Sequence, residues 1–105
     1  QIGGVPARVG LAMARCDRAA ASLHGSRAAA ASAAELCGDA AGTLESIKAP
    51  ARYSQAVDEC ANAYGAQVSA LRQMAQGRDG SDSVGDMQQQ LGFCLDDLRK
   101  ARAGG

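Results

Sequence analysis

Aromatic side chains are nearly missing from this 105-residue chain: Tyr53, Tyr64 and Phe93 are the three, and there is no tryptophan. A core built on large rings is therefore excluded. Histidine occurs once, at His24, and no Glu-x-x-His motif exists, which argues against a di-iron carboxylate bundle. No two cysteines stand in a Cys-x-x-Cys spacing, so covalent haem attachment is out and a zinc site loses its usual spacing. There is no glycine-rich phosphate loop, no nucleophile elbow and no strand-like alternation. Net charge is absent too, with 11 basic against 11 acidic residues. That removes the basic excess expected of a protein that binds nucleic acid or an anionic membrane surface. No apolar run is long enough to span a bilayer. The start, Gln1-Ile2-Gly3-Gly4, has neither the basic region nor the apolar stretch of a signal peptide, so an exported chain would be read here in its mature or trimmed form.

What is present is alanine, which makes up about half of the 47% apolar content. Alanine favours the helix because it loses no side-chain entropy there. Each alanine buries little surface, so the core gains less per residue than a leucine-rich one. The composition predicts an all-α single domain over 1–105 with close helix contacts and a thin core. Small scaffolds of this kind commonly depend on cross-links.

Four helices are expected, over about 6–24, 27–49, 51–76 and 83–102. Pro6 suits a first turn. Val9, Met13, Cys16, Ala20 and Leu23 then follow at helical spacing, and His24-Gly25 reads as the stop. Ser26 is positioned to cap the second helix, whose stripe is Ala33, Leu36, Cys37, Ala40, Leu44 and Ile47, with Pro50 beyond its end. Tyr53, Val57, Cys60, Tyr64, Val68, Leu71 and Met74 form the third stripe. Gly77 to Ser83 reads as a loop, and Ser83 with Asp86 as the next cap. Val84, Met87, Leu91, Cys94 or Leu95, and Leu98 form the fourth. Short connections between helices of similar length predict an up-down-up-down four-helix bundle.

One cysteine stands on each stripe: Cys16, Cys37, Cys60 and Cys94. Four cysteines allow three connectivities. At ~1.5 Å rise per residue, Cys16 and Cys37 sit at heights that differ by roughly 4 Å, and so do Cys60 and Cys94. Cys37 with Cys60 is also tolerable, but it leaves Cys16 with Cys94, which fits less well. One clasp per hairpin is preferred, Cys16–Cys37 and Cys60–Cys94. Disulfides point to a secreted or periplasmic location. The alternative use of four thiols near one height is to hold a soft metal such as zinc or copper(I), which would make the protein a thiol-based metal carrier.

Other polar residues carry weaker signals. His24, at a helix end before glycine, reads as a capping or solvated side chain. Asp58-Glu59 and Asp96-Asp97 are adjacent in sequence, so the members of each pair point to different sides of a helix and do not converge as acid and base. The loop from Asp79 to Asp82 lacks the closing glutamate of a calcium loop, with Gln90 in its place. Met13, Met74 and Met87 read as gap fillers. Ser22, Ser26 and Ser46 have no histidine in plausible reach. No cofactor and no catalytic residue is expected.

Charge is unevenly spread. Residues 1–27 carry Arg8, Arg15, Arg18 and Arg27 against Asp17, a net +3, whereas residues 28–49 carry a net −2. The Arg8/Arg15/Arg18 face and the Ala28–Ala34 segment are the candidate contact surfaces, for another protein or for a second copy of the chain. The expected function is a small exported, non-catalytic interaction module, such as a surface or secreted antigen.

Cys60, Tyr64, Leu71, Ala75 and Cys94-Leu95-Asp96, about a third of the chain, resemble a region of plant invertase and pectin methylesterase inhibitors. There a cysteine is followed four residues later by tyrosine, and a distant cysteine precedes an acidic residue. The resemblance implies a secreted inhibitor of a cell-wall carbohydrate enzyme. The chain departs from that family in its wide Cys16 to Cys37 spacing and in Gln88-Gln89-Gln90-Leu91-Gly92, which stands where the family has Ser-Ala-Ala-Leu-Thr. The Ala- and Arg-rich style around Ile47-Lys48-Ala49-Pro50 also resembles small exported bacterial helical domains.

Overall fold

A computed structural model describes residues 4–104. Four helices run in chain order: α1 Gly4–Ala21, α2 Arg27–Ser46, α3 Ala51–Ala75 and α4 Ser81–Gly104. They pack side by side as a four-helix bundle measuring 44 × 24 × 19 Å, with no strand among the described residues. α2 and α4 lie along α3, α1 lies along α2, and α1 meets α3 over only a few residues. α3 is thus the central helix and contributes the most buried side chains.

The helix ends follow from local chemistry. His24 and Gly25 both take left-handed angles, with φ of 48° and 75°, so α1 stops at Ala21, three residues short of the expected end. Its start at Gly4 places Pro6 inside the first turn, where no intrahelical N–H is required. The Ser26 hydroxyl accepts a hydrogen bond from the Ala29 N–H at 3.0 Å and caps α2. α2 ends at Ser46 and not at Ala49, because Ile47 turns extended and buries its side chain. The expected cap at Ser83 is displaced. α4 begins at Ser81, whose N–H donates to Asp79 Oδ1 at 2.9 Å, and Ser83 lies within the first turn. This accepted bond holds the Asp79 carboxyl below its usual range. Gly80 passes so close to α3 that a Cβ there would stand 2.9 Å from the Ala70 carbonyl oxygen. No other residue type fits that approach without displacing the chain.

The buried surfaces of α2 and α3 hold many small residues: Ala30, Ala33, Ala34, Ala40 and Ala41 on α2, and Ala56, Ala61, Ala63 and Ala70 on α3, the last lying against Gly80 at the start of α4. Leu44 and Leu71 are the largest of the side chains shut completely from solvent. Disulfides join Cys16 to Cys37 and Cys60 to Cys94, one in each hairpin, with Cα–Cα distances of 4.5 and 4.7 Å. The four sulfurs are thereby committed, and no free thiol is left for the metal-carrier reading. No described helix is long and apolar enough to cross a membrane.

Candidate functional site

α1 pairs with α2 through Cys16, Val9 and Val5, which all face inward. This orientation turns Arg8, Leu11, Arg15 and Arg18, spaced three, four and three apart, onto one exposed flank of the helix, beside the inward stripe. Leu11 is 74% exposed, an unusual position for a leucine in a chain so short of large apolar residues. Across from it stands Leu36, 38% exposed. Leu36 was expected on the inward stripe, but Cys37, one residue on and about 100° around the helix, takes the direction of α1 and leaves Leu36 at the exposed edge.

Between the helices runs a groove of about 450 Å³. Arg8, Leu11, Ala12 and Arg15 line one wall; Leu36, Asp39, Ala40 and Thr43 line the other. Arg18 continues the stripe outside the groove. Among the described residues the ion pairs are those of Asp96 with Arg99 and Lys100, so all three α1 arginines are unpaired. The Asp96–Lys100 contact, at 2.9 Å, holds the aspartate below its usual range. The groove therefore offers an apolar floor between two free guanidinium groups, with one carboxylate, Asp39, at its edge.

The Ala28–Ala34 segment is largely spent within the fold. Ala30, Ala33 and Ala34 pack into the molecule, leaving Ala28 and Ala31 outside. The serines are engaged locally: Ser22 Oγ donates to the Arg18 carbonyl at 3.1 Å, Ser46 Oγ donates to the Thr43 carbonyl at 2.8 Å, and Ser26 serves as the cap. His24 is exposed in the left-handed turn after α1. Met13 and Met74 pack against the core.

One polar tie was not foreseen. The Tyr64 hydroxyl donates to Asp17 Oδ1 at 2.7 Å and links α3 to α1. Burial, and then this carboxylate, push the phenol well above the usual tyrosine range. The stretch that resembles the plant inhibitors thus uses its tyrosine for internal packing.

A second feature corrects the reading of the acidic pairs. Within each pair the neighbours do diverge, but one member of each meets the other across the α3–α4 seam. Glu59 faces Asp97 beside the Cys60–Cys94 disulfide, and its Oε1 is shut from water without a hydrogen-bond partner, with the Gln55 side chain near the carboxylate as a partial offset. The Asp97 carboxylate, followed by burial and the more distant Asp96, raises the Glu59 pKa above its ordinary value. A raised carboxyl pKa stabilises the fold below the unfolded value near 4.5, and that contribution is lost as pH rises through the folded value. Glu59→Gln should therefore raise Tm at neutral pH and lose its advantage in acid. The rest of the carboxylate lies near solvent, so the gain should stay below about 1 kcal/mol. Thermal melts of both proteins from pH 3 to 8 check this; a variant that is less stable at pH 7 would contradict it.

No family model, curated protein or solved structure matches the chain. The functional reading therefore rests on the groove itself.

Proposed function

We propose that the protein is a small exported or periplasmic binding module that recognises another protein through the α1–α2 groove. The observation that carries this is Leu11, three-quarters exposed and flanked by the unpaired Arg8 and Arg15. An exposed leucine in a concave surface contributes nothing to folding that a polar residue would not. It gains by being covered, at about 25 cal/mol per Å² of apolar area. Arginines at its rim favour a partner that carries carboxylates around an apolar side chain, since guanidinium pairs carboxylate in a two-pronged geometry. Two disulfides in so small a domain are compatible with an oxidising compartment and support the location outside the cytosol.

The test is affinity capture from the extracellular or periplasmic fraction of the source cells. Wild-type chain is compared with Arg8→Glu/Arg15→Glu and with Leu11→Ser, all three with matching helicity. A protein retained by wild type, eluted by high salt and lost from both variants supports the reading. Equal capture by all three chains defeats it, as does the absence of any retained protein. A second copy of this chain as the retained species would identify the groove as a self-association surface, and sedimentation of the purified protein would then show the dimer.

A further inference from the structure

The exposed flank of α1 has a counterpart on the same chain. Arg8, Leu11, Arg15 and Arg18 are spaced three, four and three apart, and so are Glu35, Gly38, Gly42 and Glu45 of α2. Such spacing keeps four residues on one side of a helix. Each strip spans ten residues, about 15 Å of helix. The first reads cation, leucine, cation, cation. The second reads anion, glycine, glycine, anion. When two helices run antiparallel, one strip is reversed against the other. Arg8 then meets Glu45, Leu11 meets Gly42, Arg15 meets Gly38 and Arg18 meets Glu35.

Within one molecule the two strips point apart. Cys16 and Cys37 take the facing sides of α1 and α2. The groove beside them is walled on α2 by Leu36, Asp39 and Thr43, not by the glycine strip. Glu35 turns instead into a notch against α3, with Ala31 and Arg72. Neither Glu35 nor Glu45 forms an ion pair among the described residues, although Arg72 borders that notch. Glycine weakens a helix relative to alanine. At Gly38 and Gly42 nothing stands within 4 Å of where a Cβ would be, so the fold itself places no demand for glycine there. Among the described helical glycines, these two alone have an unpaired glutamate three residues away. They leave a shallow dent between two carboxylates, where a second helix can come close and a leucine can seat.

We propose that the α1 strip of one copy docks antiparallel on the α2 strip of another. Arg8–Glu45 and Arg18–Glu35 form the two ends of the contact, and Leu11 fills the dent at Gly42. The contact is heterologous, because each copy offers one strip of each kind, so copies add head to tail. A net charge of zero leaves no overall repulsion to oppose it. This rests on the reading of the α1 flank as a contact surface and gives that surface a regulation: a separate partner and a second copy compete for Arg8, Leu11 and Arg15.

Sedimentation of the purified, oxidised chain over a concentration series is the test. The wild-type mass should rise with concentration and fall back toward the monomer in high salt, as screening weakens the two ion pairs. Leu11→Asp spoils the α1 strip, and Gly42→Leu fills the dent in the α2 strip; both positions are exposed, so both variants should keep their helicity. Each variant alone should self-associate about tenfold more weakly or worse. Mixed, they still hold one intact strip of each kind. They should form a 1:1 complex that grows no further, because the two strips left over are both spoiled. A symmetric dimer would not behave so. Self-association that survives Gly42→Leu overturns the proposal, and so does a mixture that stays monomeric. Wild-type chain that stays monomeric at every concentration while it still captures a separate protein overturns this inference alone and leaves the groove's role standing.

Discussion

Replacing Cys60 and Cys94 together by alanine should release α4 from the bundle while the other three helices stay folded under native conditions. The disulfide closes a separation of 34 residues, and restriction of the unfolded chain by such a loop is worth about 3.5–4 kcal/mol. That is a large part of the ~5–15 kcal/mol by which a small domain is stable. The loss falls on α4 because few of its side chains are shut from solvent, although it lies along the whole of its neighbour α3. Cys94 and Leu98 are its only buried side chains, and Phe93 and Leu95 stay about half exposed. α4 leans mainly on α3, and the seam carries the unfavourable Glu59–Asp97 contact. Hydrogen exchange should show amides of 81–104 losing protection well ahead of α2 and α3. The matching Cys16→Ala/Cys37→Ala variant removes a disulfide that closes a separation of 21 residues and should lose slightly less stability. It should also keep α1 attached longer, through Val5, Val9 and the Tyr64–Asp17 hydrogen bond. If α4 amides in the first variant exchange together with those of α3, the picture of a disulfide-suspended helix is wrong.

The helices and their clasps were legible because both depend on period. Alanine content marks the helix, and one cysteine per stripe at matched heights marks a cross-linked hairpin. Local chemistry also read correctly where one residue decides it, as at the Ser26 cap. It read less well where tertiary contacts compete. Ile47 leaves the helix to fill the core, and Asp79 takes the capping place that Ser83 was expected to hold. The candidate site was legible in its charges alone. The Arg8/Arg15/Arg18 spacing puts three cations on one face of α1, but the apolar residues among them come from choices that a stripe leaves open. Leu36 and Cys37 compete for one inward direction, as do Cys94 and Leu95; in both cases the disulfide takes the cysteine inward and expels the leucine. The Glu59–Asp97 meeting had no signal in sequence, because it joins residues on different helices whose relative rotation is set by Cys60–Cys94.

Leu44→Ala should cost about 3–5 kcal/mol, more than its size alone suggests, and Leu71→Ala should behave alike. The two are the largest side chains fully shut from solvent, and the other buried residues of α2, which packs along α3, are mainly alanine. Truncation of a buried leucine costs the lost transfer energy and a further amount that grows with the cavity left behind. Long flexible neighbours can swing into such a cavity. Alanines have no side chain to swing, so the helices themselves would have to move together, and the two disulfides and the already close α2–α3 contact resist that movement. Leu11→Ala is the informative contrast. With three-quarters of its surface already in water, Leu11 should change stability by no more than about 0.5 kcal/mol in either direction. Chemical denaturation of the three variants at one pH measures all of this. A loss below about 2 kcal/mol at both Leu44 and Leu71 would mean that this alanine-rich packing can close. A large loss at Leu11 would mean that its side chain serves the fold, and the groove would then lose the feature that marks it as a contact surface.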